Sequence, residues 1–597
     1  MSEADQQWDL SPLYKGPDDP ALAQALADAA AVAEQFRRDF RGRIAADSLS
    51  ADLLAAALRG YRELQQTLLL PYLYAQLLFS ADSEPDAHKA LIARVREAWS
   101  AISEKTLFFE LEILRIDEEH FSRLVKDPEI ADYRHYLEQL RVHTPYTLSE
   151  EVEQALKRKD LSGREAFVQL FDELSAGLRF SFRMPGEENE QEVTGEELLS
   201  LLYHADRRVR ETAFSTFLRK HAEQSLVLTS CFNNILLDHG REAELRGYPD
   251  LMTPTHLASE TAPEMVERMM EVSEQNYSLA QDYFALKKTL LGYETLKNTD
   301  LYAPVGGEGR HYSLDEARRK VLDSFGGFSP RLAEAAAAFF DERRIDLLPR
   351  PGKSGGAFCM GMMPGQLPYV LTNFTGTLRD VSTLAHELGH GVHYTLSQKQ
   401  HLFHFHAPLP FAETASVFAE MLLTRHLLQH ERDRETRIAL LCAKIEDIIA
   451  TTFRQNVLTR FELAAHRQRG EGLLSADDLC RLWWDENKKL FGDKVEMIEP
   501  YRWGWSYISH FIHARFYCYS YVFGELLTLS LYQRYLEEGS PFVPKYLDLL
   551  ASGGSDRPQA LLDPFAIDLA DPGFWQKGYD VVRGLLDELR ALLRGSP

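Results

Sequence analysis

Thr383-Leu384-Ala385-His386-Glu387-Leu388-Gly389-His390-Gly391-Val392-His393 is the stretch that decides how the rest of this 597-residue chain reads. Its centre is His386-Glu387-x-x-His390. In a helix, residues four apart lie on one face. The two imidazoles therefore point the same way and can pinch one metal ion, for which zinc is the usual occupant. Glu387 sits one step round the same side, where a general base can reach a metal-bound water without ligating the metal. Val381, Leu384, Leu388 and Val392 fall on the opposite face, so one side reads as core and the other as a polar site. Asp380 stands at the expected helix start, where a carboxylate suits the helix dipole.

A catalytic zinc usually takes three protein ligands and keeps one position for water. The spacing that places a glycine and then a third histidine three and six residues after the second His finds His393 and Leu396 instead. A glutamate about 20 residues after the second His is also missing, because Leu409 and Pro410 stand there. Slightly further on, Phe411–Glu420 reads as the start of a mostly apolar helix, with Glu413 and Glu420 on one face. A carboxylate in such a helix is costly unless it meets a cation. Glu413 is thus the candidate third ligand, and Glu420 a candidate to orient a ligand histidine. Two exposed glutamates on an amphipathic helix are the plain alternative, and His393 is the alternative third ligand.

The segment Trp505–Tyr521 is rich in hydrogen-bond donors. If it is one helix, His510, His513, Tyr517 and Tyr521 share a face. The same stripe also reads as aromatic core. Before the metal helix, Pro351–Gly356 reads as a loop, with Gly355 and Gly356 at its end. Ala357–Met362 and Tyr369–Asn373 are short strand candidates. They read either as an edge that pairs with an extended peptide or as an ordinary hairpin. His401, His404 and His406 form a histidine-rich stretch that Pro408 and Pro410 mark as loop rather than a second metal cluster.

The remainder is helical in texture. Ala21–Ile44, Ala51–Leu68 and Ala87–Ile102 are rich in good helix formers, with breaks expected at Pro71 and Pro85. Leu178–Val193 reads as a small β-hairpin, and Thr194–Glu197 and Ser313–Glu316 as capping boxes. A boundary is expected near the hairpin, between an N-terminal helical region (1–190) and a catalytic region (191–597).

Hydrophobic residues make up 45% of the chain, ample for a large core. A net charge of −24 with no basic stripe argues against nucleic acid as a partner. No stretch is long and apolar enough to span a bilayer, so no membrane partner is expected. Five scattered cysteines without a C-x-x-C pair fit a thiol-reducing compartment. The polar, acidic start lacks the features of a signal peptide. A cytoplasmic location follows as the expectation, with a monomer or a homodimer both compatible.

His386–His393, followed by Ala412-Glu413-Thr414-Ala415-Ser416, resembles the zinc oligopeptidase family that includes thimet oligopeptidase and oligoendopeptidase F. The lead-in Gly352–Gly356, the strand Tyr369–Thr375 and the tyrosine-rich segment resemble it too, and the oligoendopeptidase F branch is the nearer match. The resemblance implies a mainly α, elongated multi-helical fold with a deep channel and a small β-sheet beside the active-site helix. It implies one zinc per chain, oligopeptide substrates and cleavage of internal bonds. It also implies that Tyr521 and a histidine, His510 or His513, help bind the oxyanion, with Tyr517 and Tyr519 as weaker candidates. A carboxypeptidase or dipeptidyl carboxypeptidase is the nearest alternative. A peptide-binding protein with a structural zinc, completed by His393, is the alternative from another class.

Overall fold

The computed structural model describes residues 6–306 and 310–595. Helices dominate, and the strands among the described residues form one two-stranded and one three-stranded sheet. This is the mainly α fold with a small sheet that the sequence implied. None of the described helices is long and apolar enough to cross a membrane. The chain folds as two compact units, both discontinuous: Met1–Pro145, Gly309–His430 and Arg534–Ile567 form one, and Tyr146–Glu308, Glu431–Gln533 and Asp568–Pro597 the other.

In the first unit, three long helices, Pro20–Phe40, Ala51–Ala81 and Asp86–Leu114, pack on one another. Phe36, Leu54, Leu58, Tyr61, Phe109 and Ile113 belong to their shared core. The break expected at Pro71 does not occur: the second helix runs through it. A proline inside a helix loses one hydrogen bond and clashes with the preceding turn, at a cost of about 3 kcal/mol. Here Leu64, Leu68, Tyr74 and Leu77 are buried on both sides of it, and that burial outweighs the local penalty. A second apolar cluster joins Trp8, Tyr14, Tyr74 and Leu91 to Met362, Tyr369 and Leu371. The N-terminal helices thus pack directly on the segment that leads into the metal helix.

That segment is a three-stranded sheet. Tyr369–Leu371 lies in its centre, parallel to Ile345–Asp346 and antiparallel to Phe358–Met360, with Phe358 opposite Leu371. The two-residue strand was not foreseen, because so short a run carries no period. Asp346 is fully buried and accepts from both Arg350 (2.6 and 2.7 Å) and Lys353 (2.7 Å). Lys353 also donates to the carbonyls of Leu348 (2.8 Å) and Thr372 (2.6 Å), which ties the loop before Gly355 to the sheet.

The metal helix, Leu378–Leu396, starts at a capping box. Thr377 caps the Asp380 N–H, and Asp380 accepts from the N–H groups of Thr375 (2.9 Å) and Thr377 (3.0 Å). It packs against the helix Thr414–His430 at very short range. A Cβ on Gly389 would lie 2.7 Å from both the Ala415 carbonyl oxygen and the Ser416 Cα. Those are backbone atoms, so no rotamer change makes room.

The second unit contains the expected hairpin, Phe180–Arg183 paired with Glu190–Val193, and the capping box of Thr194 and Glu197. Its interior includes the fully buried ion pair Arg210–Asp300 at 2.8 Å. The donor-rich segment is not one helix. A short helix, His510–His513, gives way to a link at Ala514–Tyr517, and a new helix starts at Cys518. Phe516 in that link has φ +56°.

Gly389→Ala tests the helix contact. Overpacking against backbone is expected to lower stability by about 1–3 kcal/mol, read as a reduced urea midpoint with an unchanged slope.

Candidate metal centre

His386 and His390 lie one turn apart on the metal helix, their rings edge to face with centroids 4.9 Å apart. Glu413 does not sit inside the following helix, as the sequence suggested. It stands at the turn between the short helix Leu409–Ala412 and the long helix Thr414–His430. Pro410 stands in the first turn of the first of these, and the close contact at Gly389 brings the second onto the metal helix. Glu413 Oε2 therefore comes to 3.4 Å from His386 Nε2 and 3.4 Å from His390 Nε2. Ser416 Oγ donates to the same oxygen at 2.7 Å.

Among the described residues, one group of His, Cys, Asp or Glu side chains brings three donor atoms within 4.8 Å of one another, and it is His386, His390 and Glu413. A tetrahedral zinc with bonds of about 2.0–2.1 Å separates its ligand atoms by about 3.4 Å. The two nitrogen–oxygen separations match that spacing. Glu420 is 2.6 Å from His386 Nδ1. One nitrogen of His386 thus meets a carboxylate behind it while the other faces Glu413, the arrangement that fixes the tautomer of a ligand imidazole.

The electrostatics follow from three carboxylates around two imidazoles. Burial favours the neutral form of Glu413, but the hydrogen bond and charge of His390, with the charge of His386, pull its carboxyl down to about 2. Burial lowers His386, and the Glu420 hydrogen bond and charge reverse this, raising the imidazole to about 9. Glu387 is 6% exposed, and burial raises its carboxyl against the opposing charge of both histidines. The cluster therefore attracts positive charge, and in its absence protons take that place.

His393 is buried one turn beyond His390, its imidazole lowered by burial to about 3, and it is not part of the three-atom group. His401 bonds the Asp132 carbonyl at 2.6 Å, and His404 and His406 join no metal-holding group among the described residues. Gly355 and Gly356 are exposed, and Asn373 Nδ2 donates to the Gly356 carbonyl at 2.8 Å. In the second unit, His510 Nε2 and Tyr521 Oη are hydrogen bonded at 3.1 Å. Tyr517 stacks on His510 with centroids 5.8 Å apart. His513 turns away to Asp172, at 2.8 Å. Tyr519 is fully buried, with its hydroxyl near Thr261 Oγ1 and the Thr255 carbonyl, both at 3.4 Å.

Gly389 and Ser416 stand in the motifs quoted from the sequence, but nothing there gave either a role of its own. Gly389 did leave a signal: glycine inside a helix costs about 1 kcal/mol against alanine, so its place between two candidate ligands asks for a packing reason.

The sequence model of Peptidase family M3 matches residues 200–581, and that of Oligopeptidase F matches residues 112–180. Oligopeptidase PepF of Bacillus subtilis is 26% identical over 566 residues, covering 93% of this chain and 82% of that protein. An oligoendopeptidase F homolog of Borreliella burgdorferi is 26% identical over 552 residues, covering 92% of each. The same fold occurs in a solved structure from Chlamydophila abortus, with TM-score 0.90, 23% identity and 99% of each chain covered. Oligoendopeptidase-F from Enterococcus faecium shares it with TM-score 0.71 and 23% identity, over 96% of this chain and 99% of that one. The family match covers well over half of the sequence and includes the His386–Glu413 cluster, and the chain belongs to peptidase family M3 as a metalloendopeptidase of the oligoendopeptidase F type.

Proposed function

We propose that this chain hydrolyses internal bonds of short, unfolded oligopeptides, with one zinc ion held by His386, His390 and Glu413. The observation that carries this reading is the pair of 3.4 Å separations from Glu413 Oε2 to the two imidazole nitrogens, with Glu387 buried between the same histidines in sequence. The names of the relatives, oligopeptidase and oligoendopeptidase F, support oligopeptides as substrates. When bound, zinc supplies a Lewis acid to the reaction.

Glu387 is the general base. It takes a proton from the attacking water at its carboxylate and delivers it to the leaving amine nitrogen. Burial raises its proton affinity, which suits a group that must accept and then release a proton. Glu420 orients His386 through Nδ1. The family resemblance assigns Tyr521 and His510 to the oxyanion as hydrogen-bond donors, and their mutual bond at 3.1 Å supports treating them as one unit. His513, bound to Asp172, is thereby less suited to that role. Among the described residues, the outer strand Phe358–Met360 pairs with one strand, Tyr369–Leu371, which supports pairing of its other edge with an extended peptide beside Gly355 and Gly356.

The same reading divides the sequence near residue 190 into an N-terminal and a catalytic region. Family matches ending at 180 and resuming at 200 support this division. It places the enzyme in the cytoplasm, which five unpaired cysteines support.

Glu387→Gln is expected to retain zinc and lose at least about 100-fold in kcat. Full activity in that variant would reject Glu387 as the base. Glu420→Ala is expected to weaken zinc binding by about 10–100-fold in chelator competition. A quenched-fluorescence peptide blocked at both ends is expected to be cut internally. Cleavage confined to peptides with a free C-terminus would indicate a carboxypeptidase instead.

A further inference from the structure

The bond between His510 and Tyr521 cannot form in a continuous helix. Eleven residues at about 1.5 Å each would separate the two by about 16 Å along the axis. Their 3.1 Å contact requires the chain to reverse between them, and the reversal is the link Ala514–Tyr517. Phe516 makes the turn at φ +56°, a left-handed conformation that a bulky side chain adopts only when its surroundings impose it. Phe516 is fully buried, so its N–H needs a partner inside the protein.

That partner is Glu462 on the helix Phe453–Glu471. The Phe516 N–H donates to Glu462 Oε1 at 2.9 Å. Glu462 is itself fully buried, and no described residue bonds its other oxygen. One turn along the same helix, the His466 ring lies 4.7 Å from the Phe516 ring, and the His239 ring flanks it at 5.6 Å. One helix thus holds the strained residue twice, by its backbone through Glu462 and by its side chain through His466. Burying a carboxyl group with a single bonded oxygen is unfavourable. Its one hydrogen bond goes to the residue that reverses the chain.

We propose that Glu462 is a positioning residue for the reaction: it fixes the reversal at Ala514–Tyr517 and so holds His510 and Tyr521 together. Tyr517, adjacent to Phe516, then stacks on His510 and lies edge-on to Tyr521, with centroids 5.3 Å apart. Burial raises the Glu462 carboxyl to about 8, so the group acts as a largely neutral acceptor near pH 7. The proposal rests on the oxyanion role given above to His510 and Tyr521.

Three variants test it. Glu462→Gln keeps an oxygen at the same reach, Glu462→Met keeps the volume without one, and Glu462→Asp withdraws the carboxyl by one methylene. Zinc content, kcat, KM and amide exchange of residues 514–521 are measured on each purified chain. Glu462→Met is expected to lose about 10-fold or more in kcat with KM changed less than about threefold, the pattern of a transition-state interaction. Its 514–521 amides are expected to exchange faster, with zinc content unchanged. Glu462→Gln is expected to retain kcat within about threefold and to exchange like the wild type. Should the Met variant not fold, the Asp variant takes its place with the same expected order against Gln. Wild-type kcat in the Met or Asp variant overturns the proposal, as does a Gln variant as impaired as Met. A wild-type chain that cleaves no peptide would reject the functional reading. The exchange arm would then still decide whether Glu462 holds the reversal.

Discussion

Glu413 shared between two imidazoles is the interaction on which the first unit depends. Its carboxylate must come within 3.4 Å of both nitrogens while standing at the turn before another helix. That demands near-contact of two helix backbones, and a side chain at the crossing would prevent it. Gly389 is therefore as much a part of the site as the ligand candidates, although it offers no chemistry. The charge balance works in the same direction. Three carboxylates around two imidazoles repel one another unless positive charge sits among them, so the geometry that packing enforces is also one that a cation relieves.

The supports of this arrangement lie far away in sequence. The metal helix is preceded by the three-stranded sheet, and the sheet packs on the first hundred residues through Trp8, Tyr74 and Leu91. Asp346, gripped by Arg350 and Lys353, locks the loop between the first two strands. Buried ion pairs of this kind are weak sources of stability, but they penalise alternative arrangements of the loop strongly, because any of them leaves a charge unpaired. The N-terminal helices are thus a scaffold for the strand that precedes the site, even though they carry no candidate catalytic residue.

What was legible in the sequence follows from which signals are local. The metal helix was readable because its apolar face, its capping residues and its histidine spacing all repeat within a few residues. Glu413 was reachable because a carboxylate amid apolar residues stands out, but its place at a turn was not, since Phe411–Glu420 has continuous helical texture. Pro71 misled for the opposite reason: a local penalty was visible, and the burial that overrides it depends on partners from other helices. Gly389 acts through Ala415 and Ser416, distant in sequence, and so left only a faint trace.

The segment from His510 to Tyr521 is the clearest case of a non-local decision. Its residues repeat at helical spacing, which puts His510, His513, Tyr517 and Tyr521 on one face, but His513 turns to Asp172 and the neighbours are His510, Tyr517 and Tyr521. They meet because the chain reverses, not because one helix aligns them. Nothing within the segment specifies a reversal: it contains no glycine or proline, and a phenylalanine takes the left-handed position. The specification comes from Glu462 and His466, some 50 residues earlier, which hold that phenylalanine by backbone and ring. A glycine at 516 would adopt the turn with less strain but would also leave it freer to relax. A bulky residue clamped from outside gives one conformation, and with it one fixed distance between His510 and Tyr521.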